Sequence, residues 1–276
     1  EPEGGCFRMI SAGVLGSPIS HSLSPLLHNT IYDFLGINAS YRAYEVASGE
    51  LRNFLNGEGS SLNCLSLTMP LKEEALTIAD SISHISRQVL SGNTLHKVDG
   101  VWNLTSTDVD GFKHALEFNQ RDAKGNVLVI GAGATARAAL ASCDGISSKV
   151  TVVNRNSDRE PAIRKSAPNT DVNFVTWTET IDFESFDMVV NTTPGNTASV
   201  FVDQIQSVNS TYFEVLYNPW PTQLLAQWRK SGGFGIDGLD LLIHQAISQA
   251  SIFAGRPIDR DSIAKILRSA GEKALS

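Results

Sequence analysis

Cysteine is scarce in this chain of 276 residues: Cys6, Cys64 and Cys143 show no paired spacing. An odd count without a framework excludes a disulfide scaffold and fits a reducing cytoplasm. Six histidines never fall into a metal-ligand spacing such as H-E-x-x-H, so no metal is expected. Basic residues do not dominate either, with 22 Lys and Arg against 29 Asp and Glu and a formal net charge of -7. A nucleic-acid partner would call for a basic face, and the basic residues here are scattered. No apolar run reaches the ~18 residues of a membrane span. The first ten residues, E-P-E-G-G-C-F-R-M-I, lack a basic n-region leading into an apolar h-region, so no signal peptide is expected. They also lack an initiator Met, which is compatible with removal of an upstream segment. Internal repeats and low-complexity segments are missing too. What is present, 42% hydrophobic and 18% charged residues, suits one or two globular domains with ample core.

The first strand is expected at 12–16, A-G-V-L-G. A helix should follow, with Ser24 as N-cap, Pro25 at the first helical position and Gly36 as its stop. Its apolar stripe reads Leu27, Ile31, Phe34 and Leu35. Segments 41–46 and 63–68 alternate like strands, and 94–105 reads as a hairpin turning at Asp99-Gly100. A helix is expected from Asp108 to Phe118. Beyond residue 122 the texture changes. N-V-L-V-I-G (126–131) is almost continuously apolar, as a strand covered by helices on both faces should be. Similar runs at 150–154, 187–191 and 212–216 alternate with helical segments, and 239–254 and 259–275 are helical. The pattern predicts an α/β fold with an N-terminal lobe, a doubly wound Rossmann-type lobe and a cleft between them. The expected division is 1–110 with 239–276 for substrate, and 111–238 for a dinucleotide.

Gly131-Ala132-Gly133-Ala134-Thr135-Ala136 follows a strand and opens a helix, the context in which G-x-G-x-x-A cradles a pyrophosphate. An NAD site usually ends the next strand with an acid. Here that strand ends V-V-N-R-N-S-D-R, placing Asn154, Arg155, Asn156 and Arg159 around the ribose 2′ position. A guanidinium suits a phosphate, so NADP is the expected cofactor. Asp158 is a candidate partner for either arginine. A further oddity is Lys72, placed with Glu73 and Glu74 in a helix start, where the dipole prefers anions.

Taken in order, several motifs resemble those of the shikimate dehydrogenase family, over nearly the whole chain. G-S-P-I-S-H-S-L-S-P-L-L-H-N (16–29) is similar to its N-terminal signature, which implies that Ser22 and Ser24 bind the substrate carboxylate. S-L-T-M-P-L-K (66–72) resembles the catalytic-lysine motif and implies that role for Lys72. S-G-N-T-L (91–95) implies Asn93 on ring hydroxyls, and S-T-D-V-D-G-F (106–112) implies Asp108 as the catalytic aspartate. N-T-T-P-G (191–195), L-Y-N-P-W-P-T (216–222) and G-L-D-L-L-I-H-Q-A (238–246) resemble the later cofactor, hinge and C-terminal segments. Thr192, Val215 and Gly238 are thereby expected at the cofactor, and Ser66, Thr68, Tyr217 and Gln245 at the substrate.

The resemblance implies reversible NADPH-dependent reduction of 3-dehydroshikimate to shikimate, in aromatic amino-acid biosynthesis. Lys72 would donate or accept the proton and Asp108 would orient it. No metal is implied. Ser66 and Ser106 stand where the family usually has Asn, Leu90 where glycine is usual, Gly92 where a small apolar residue is usual, and Leu241 in place of a common Met. The two serines open the question of ring-hydroxyl discrimination. A quinate/shikimate enzyme using NAD, or a shikimate-dehydrogenase-like paralogue acting on another shikimate-like acid, is therefore an alternative, and an inactive nucleotide-sensing module is a non-enzyme one. His21, His28 and His244 read as packing or surface residues. A monomer or homodimer with a small-molecule substrate and no membrane partner is expected.

Overall fold

The computed structural model describes residues 9–276, so Cys6 and most of the N-terminal segment considered above lie outside the described residues. Two six-stranded sheets organise the chain. The first contains β1 (Ser11–Gly16), β2 (Ser40–Glu45), β3 (Cys64–Leu67), β4 (Ser81–Ile82), β5 (Thr94–Val98) and β6 (Val101–Thr105), in the order β2-β1-β3-β5-β6-β4. β1 runs parallel to β2 and β3, whereas β5 is antiparallel to β3 and β6. The β5–β6 hairpin turns at Asp99 and Gly100, both at positive φ (51° and 82°), as an Asp-Gly pair favours.

The second sheet contains β7 (Asn126–Ile130), β8 (Lys149–Asn154), β9 (Val172–Thr176), β10 (Met188–Asn191), β11 (Thr211–Glu214) and β12 (Phe234–Ile236). Its order is β12-β11-β10-β7-β8-β9 and every pairing is parallel. The order reverses between β7 and β10, which is where a doubly wound sheet binds ligands. Val127, Leu128, Val129 and Ile130 are all fully buried, which is why β7 reads as a continuous apolar run.

Ten helices connect and cover the sheets among the described residues: α1 (Ser24–Leu35), α2 (Leu51–Asn56), α3 (Leu71–Glu74), α4 (His84–Val89), α5 (Asp108–Phe118), α6 (Ala134–Cys143), α7 (Glu160–Ser166), α8 (Gln223–Lys230), α9 (Gly238–Ala254) and α10 (Arg260–Leu275). α9 and α10 return to the first sheet. Leu239, Ile243, Ile247, Ile263 and Leu267 share one apolar core with Ala12, Val14, Leu27 and Ile31. A second core joins α5 and α6 to β7 and β8, with Phe112 edge-on to Phe213 of β11 at 5.0 Å.

Two local expectations are corrected. Ser24 is not the N-cap of α1: it is the first helical residue, Leu23 holds the cap position, and no side chain caps the helix. The Ser22 hydroxyl instead accepts from the Ser24 N–H at 3.3 Å, satisfying one of the orphan donors from outside the helix. Phe34 is 47% exposed and leaves the buried stripe, which His28 and Tyr32 complete because α9 lies against that face. Gly36 does end α1, in the left-handed conformation (φ 64°).

Candidate active site

Lys72 and Asp108, 36 positions apart, meet directly: Lys72 Nζ donates to Asp108 Oδ2 at 2.6 Å. Three local features make this possible. β3 ends beside β1, where the Thr68 N–H bonds the Leu15 carbonyl, and Pro70 then turns the chain into the short α3. Asp108 is the first residue of α5, where the helix dipole favours an anion. Both side chains are mostly buried, at 16% and 9% exposure, so little water competes for the pair.

The other carboxylate oxygen is also held. Asn93 Nδ2 donates to Asp108 Oδ1 at 2.8 Å and to Gln245 Oε1 at 3.2 Å. Asn93 Oδ1 accepts from the Thr107 N–H at 2.7 Å and from Thr94 Oγ1 at 2.9 Å. The structure thus brings Lys72, Asn93, Asp108 and Gln245 into one constellation drawn from α3, the α4–β5 loop, α5 and α9. Thr68 lies four residues before Lys72 at the end of β3.

Ser66 is placed differently. It is buried, and its hydroxyl donates to Gln249 Oε1 at 2.8 Å. Gln249 Nε2 in turn donates to the Asn93 carbonyl at 2.9 Å and to Thr94 Oγ1 at 3.1 Å. The His28 Nε2 lies 3.2 Å from Gln249 Oε1, and its ring stacks on Tyr41 at 4.1 Å. Burial pushes the His28 imidazole down to about 3. Sequence reasoning missed Gln249, although it follows Gln245 by one helical turn and so shares its face. Gly92, where a small apolar residue is usual, has no room for one: a Cβ there would lie 2.5 Å from Leu104.

Tyr217 lies by the residues that lead into α1. Burial raises its phenol pKa, and hydrogen bonding with the Leu23 main chain and the Ser22 side chain lowers it in part. Ser22 therefore lies beside Tyr217 just ahead of α1, and Ser24 is the first residue of that helix. His21 is exposed, whereas His28 and His244 are buried, the last against Phe118 at 5.2 Å.

The glycine loop lies at the reversal of the second sheet. Gly131 takes φ 111°, and a Cβ there would sit 2.5 Å from Thr192 Oγ1. Gly133, ahead of α6, has open space where its side chain would be. Both conditions suit a pyrophosphate approaching the N-terminus of this ten-residue helix. Thr192 donates to the Ile130 carbonyl at 2.9 Å, beside the loop. Gly238 opens α9 so close to Val215 and Leu216 that a Cβ would collide with their main chain. Ala132, Ala134 and Thr135 are half-buried around the same turn.

At the end of β8, Asn154 is buried while Arg155, Asn156 and Arg159 are exposed. Arg155 lies over the Trp177 ring at 4.3 Å, and Arg159 leans to the Ala132 carbonyl at 3.5 Å. Among the described residues no ion pair joins Asp158 to either arginine; its N–H bonds Asn156 Oδ1 in a local turn. The guanidiniums are therefore available to a phosphate, and the loop, helix terminus and arginines together fit NADP. No His, Cys, Asp and Glu grouping suited to a metal is found among the described residues, and no helix there is long and apolar enough to cross a membrane.

A doubly wound sheet carrying a glycine loop, joined to a second lobe that holds a lysine–carboxylate pair, is the architecture of a dinucleotide-dependent dehydrogenase. The model of the shikimate dehydrogenase substrate binding domain matches residues 14–95. A shikimate dehydrogenase (NADP(+)) of Oleidesulfovibrio alaskensis is 34% identical over 256 residues, 89% of this chain and 90% of that protein. The crystal structure of Mycobacterium tuberculosis shikimate dehydrogenase superposes with a TM-score of 0.85 at 33% identity, covering 94% of this chain and 99% of that one. A Thermus thermophilus shikimate 5-dehydrogenase, solved with NADP(H) and shikimate, superposes at 0.83 with 26% identity over 95% of this chain and 100% of that one. The chain belongs to the shikimate dehydrogenase family.

Proposed function

We propose that this protein catalyses the reversible NADPH-dependent reduction of 3-dehydroshikimate to shikimate, a step of aromatic amino-acid biosynthesis, in the cytoplasm. The observation that carries this reading is the Lys72–Asp108 pair with Asn93 and Gln245 on its flank. NADP, when bound, exchanges a hydride with the substrate carbon. In the reducing direction the Lys72 ammonium bonds the carbonyl oxygen and gives it a proton as an alcohol forms. In the oxidising direction the neutral amine takes that proton back. Asp108 holds the amine in place by a charge-assisted hydrogen bond, while Asn93 keeps the carboxylate from rotating. Gln245 and Thr68 both donate and accept, as ring hydroxyls require. Ser22 and Ser24 serve the substrate carboxylate, with Tyr217 above them. Gly131 to Thr135, Thr192, Val215 and Gly238 form the cofactor bed, and Asn154, Arg155, Asn156 and Arg159 take the 2′-phosphate. We assign residues 1–110 and 239–276 to the substrate unit and 111–238 to the NADP unit.

Absorbance at 340 nm tests this with shikimate or quinate, each with NADP or NAD. Turnover should be greatest with shikimate and NADP. Equal or faster turnover of quinate with NAD would transfer the assignment to a quinate/shikimate enzyme. Absence of turnover in all four mixtures, with NADP still bound, would favour a nucleotide-sensing module.

A further inference from the structure

Arg137 belongs to the second turn of α6, four residues after Gly133, yet its side chain leaves its own lobe. Only 4% of it is exposed. Its Nε donates to the Val89 carbonyl at 2.6 Å, and its Nη2 donates to the Leu90 carbonyl at 3.2 Å and to Glu73 Oε1 at 2.6 Å. These acceptors belong to the two segments that carry the candidate chemistry. Glu73 is the neighbour of Lys72. Val89 and Leu90 end α4, and Asn93 follows three residues on. The same two segments are tied again where the Gly92 N–H bonds the Lys72 carbonyl at 2.9 Å.

The local backbone shows what the guanidinium holds. Leu90 closes α4 in the left-handed conformation, φ 50° and ψ 40°, which costs a leucine free energy that glycine would be spared. The last carbonyls of a helix lack intrahelical donors, and a cation placed there also meets the negative end of the dipole. Arg137 supplies both across the lobe boundary, and its planar fork sets direction as well as distance. A second link, Gln88 Nε2 to the Ser166 carbonyl at 2.9 Å, also leaves α4, but it carries no charge and does not reach Glu73.

We propose that Arg137 is a positioning residue: through Glu73 and the α4 carbonyls it fixes the Lys72 and Asn93 segments relative to the glycine loop. The geometry makes one chain of contacts from Gly133 through α6 to Arg137, Glu73 and Lys72. The proposal rests on the assignment of Lys72 above. Its consequence is a loss of turnover that binding of either ligand alone does not show. Binding needs each lobe intact, whereas transfer needs the two lobes in register.

The test uses the full chain with Glu73→Gln, Arg137→Lys, the double variant and Lys72→Ala. Glu73 is 58% exposed, so Glu73→Gln should fold with an unchanged thermal midpoint. Turnover with shikimate and NADP is read at 340 nm, and dissociation constants of NADPH and shikimate, each alone, are read by fluorescence and calorimetry. Glu73→Gln should lower kcat at least fivefold while both dissociation constants stay within twofold. Arg137→Lys should act in the same direction, and the double variant should be no worse than the more impaired single one. A Glu73→Gln enzyme with kcat within twofold of the parent overturns the proposal, as does a double variant whose losses multiply. If Lys72→Ala itself retains parental turnover, the underlying assignment fails instead; an inactive Lys72→Ala beside a normal Glu73→Gln removes the positioning role alone.

Discussion

Individual side chains in this protein are decided by their partners more than by their type. Gln249 is 1% exposed and holds Ser66, Thr94, the Asn93 carbonyl and His28 at once. Replacing it with leucine would strand the Ser66 hydroxyl and the His28 ring nitrogen, each costing about 1–3 kcal/mol, so Gln249→Leu should lose roughly 2–6 kcal/mol in denaturant unfolding. It should also raise KM for shikimate, because Asn93 loses its support, while KM for NADP stays within twofold. Ser66 is one such partner: its buried hydroxyl is turned into the fold toward Gln249. Glu214 is a comparable hub in the other lobe. Fully buried, it accepts from Asn191, Tyr212 and Thr222, and burial raises its pKa.

At the scale of elements, the acidic companions of Lys72 have separate duties. Glu74 reaches back to α2, accepting from the Gly49 N–H at 2.8 Å and the Leu51 N–H at 3.1 Å. It is a cap supplied by another helix, and it puts negative charge where the α2 dipole favours it. Glu74→Ala should cost about 1 kcal/mol in thermal or denaturant unfolding, with kcat unchanged. What was legible in the sequence follows the same logic. The strands at 126–131, 150–154 and 187–191 announced themselves because helices cover both faces of that sheet, leaving no polar alternation to confuse the reading. β12 was not legible: three residues with Gly235 in the middle carry no periodicity, and it forms only because β11 offers a parallel edge. The Lys72–Asp108 pair was named from motif order, not from spacing. Arg137 and Gln249 passed unnoticed because each earns its burial from acceptors far along the chain, which no local pattern encodes. The start of α1 lies one residue earlier than the cap pattern implies, since Leu23 holds the cap position and the Ser22 hydroxyl accepts from the Ser24 N–H from outside the helix.

For the molecule as a whole, the pH dependence of stability has a stated sign. His28 and His244 are both held down to about 3 from 6.5, chiefly by burial. Between those values the unfolded chain binds protons that the native chain refuses, so stability is lost as pH falls from 6.5 toward 3. Glu214 and Asp240, whose pKa values burial raises, act in the opposite direction, so the histidine contribution is read as a difference. His28→Phe, which keeps a ring against Tyr41, should lose less stability than the parent between pH 6.5 and 5, by up to about 1.4 kcal/mol per pH unit. The molecule's central feature nevertheless remains a lysine from the short helix α3 and an aspartate from the start of α5, held together at 2.6 Å. The most direct measurement is the steady-state rate of NADP reduction by shikimate in Lys72→Ala, with NADP affinity determined on the same preparation. Turnover should fall by at least three orders of magnitude with NADP affinity within twofold of the parent. Turnover within tenfold of the parent would contradict a proton-transferring role for Lys72.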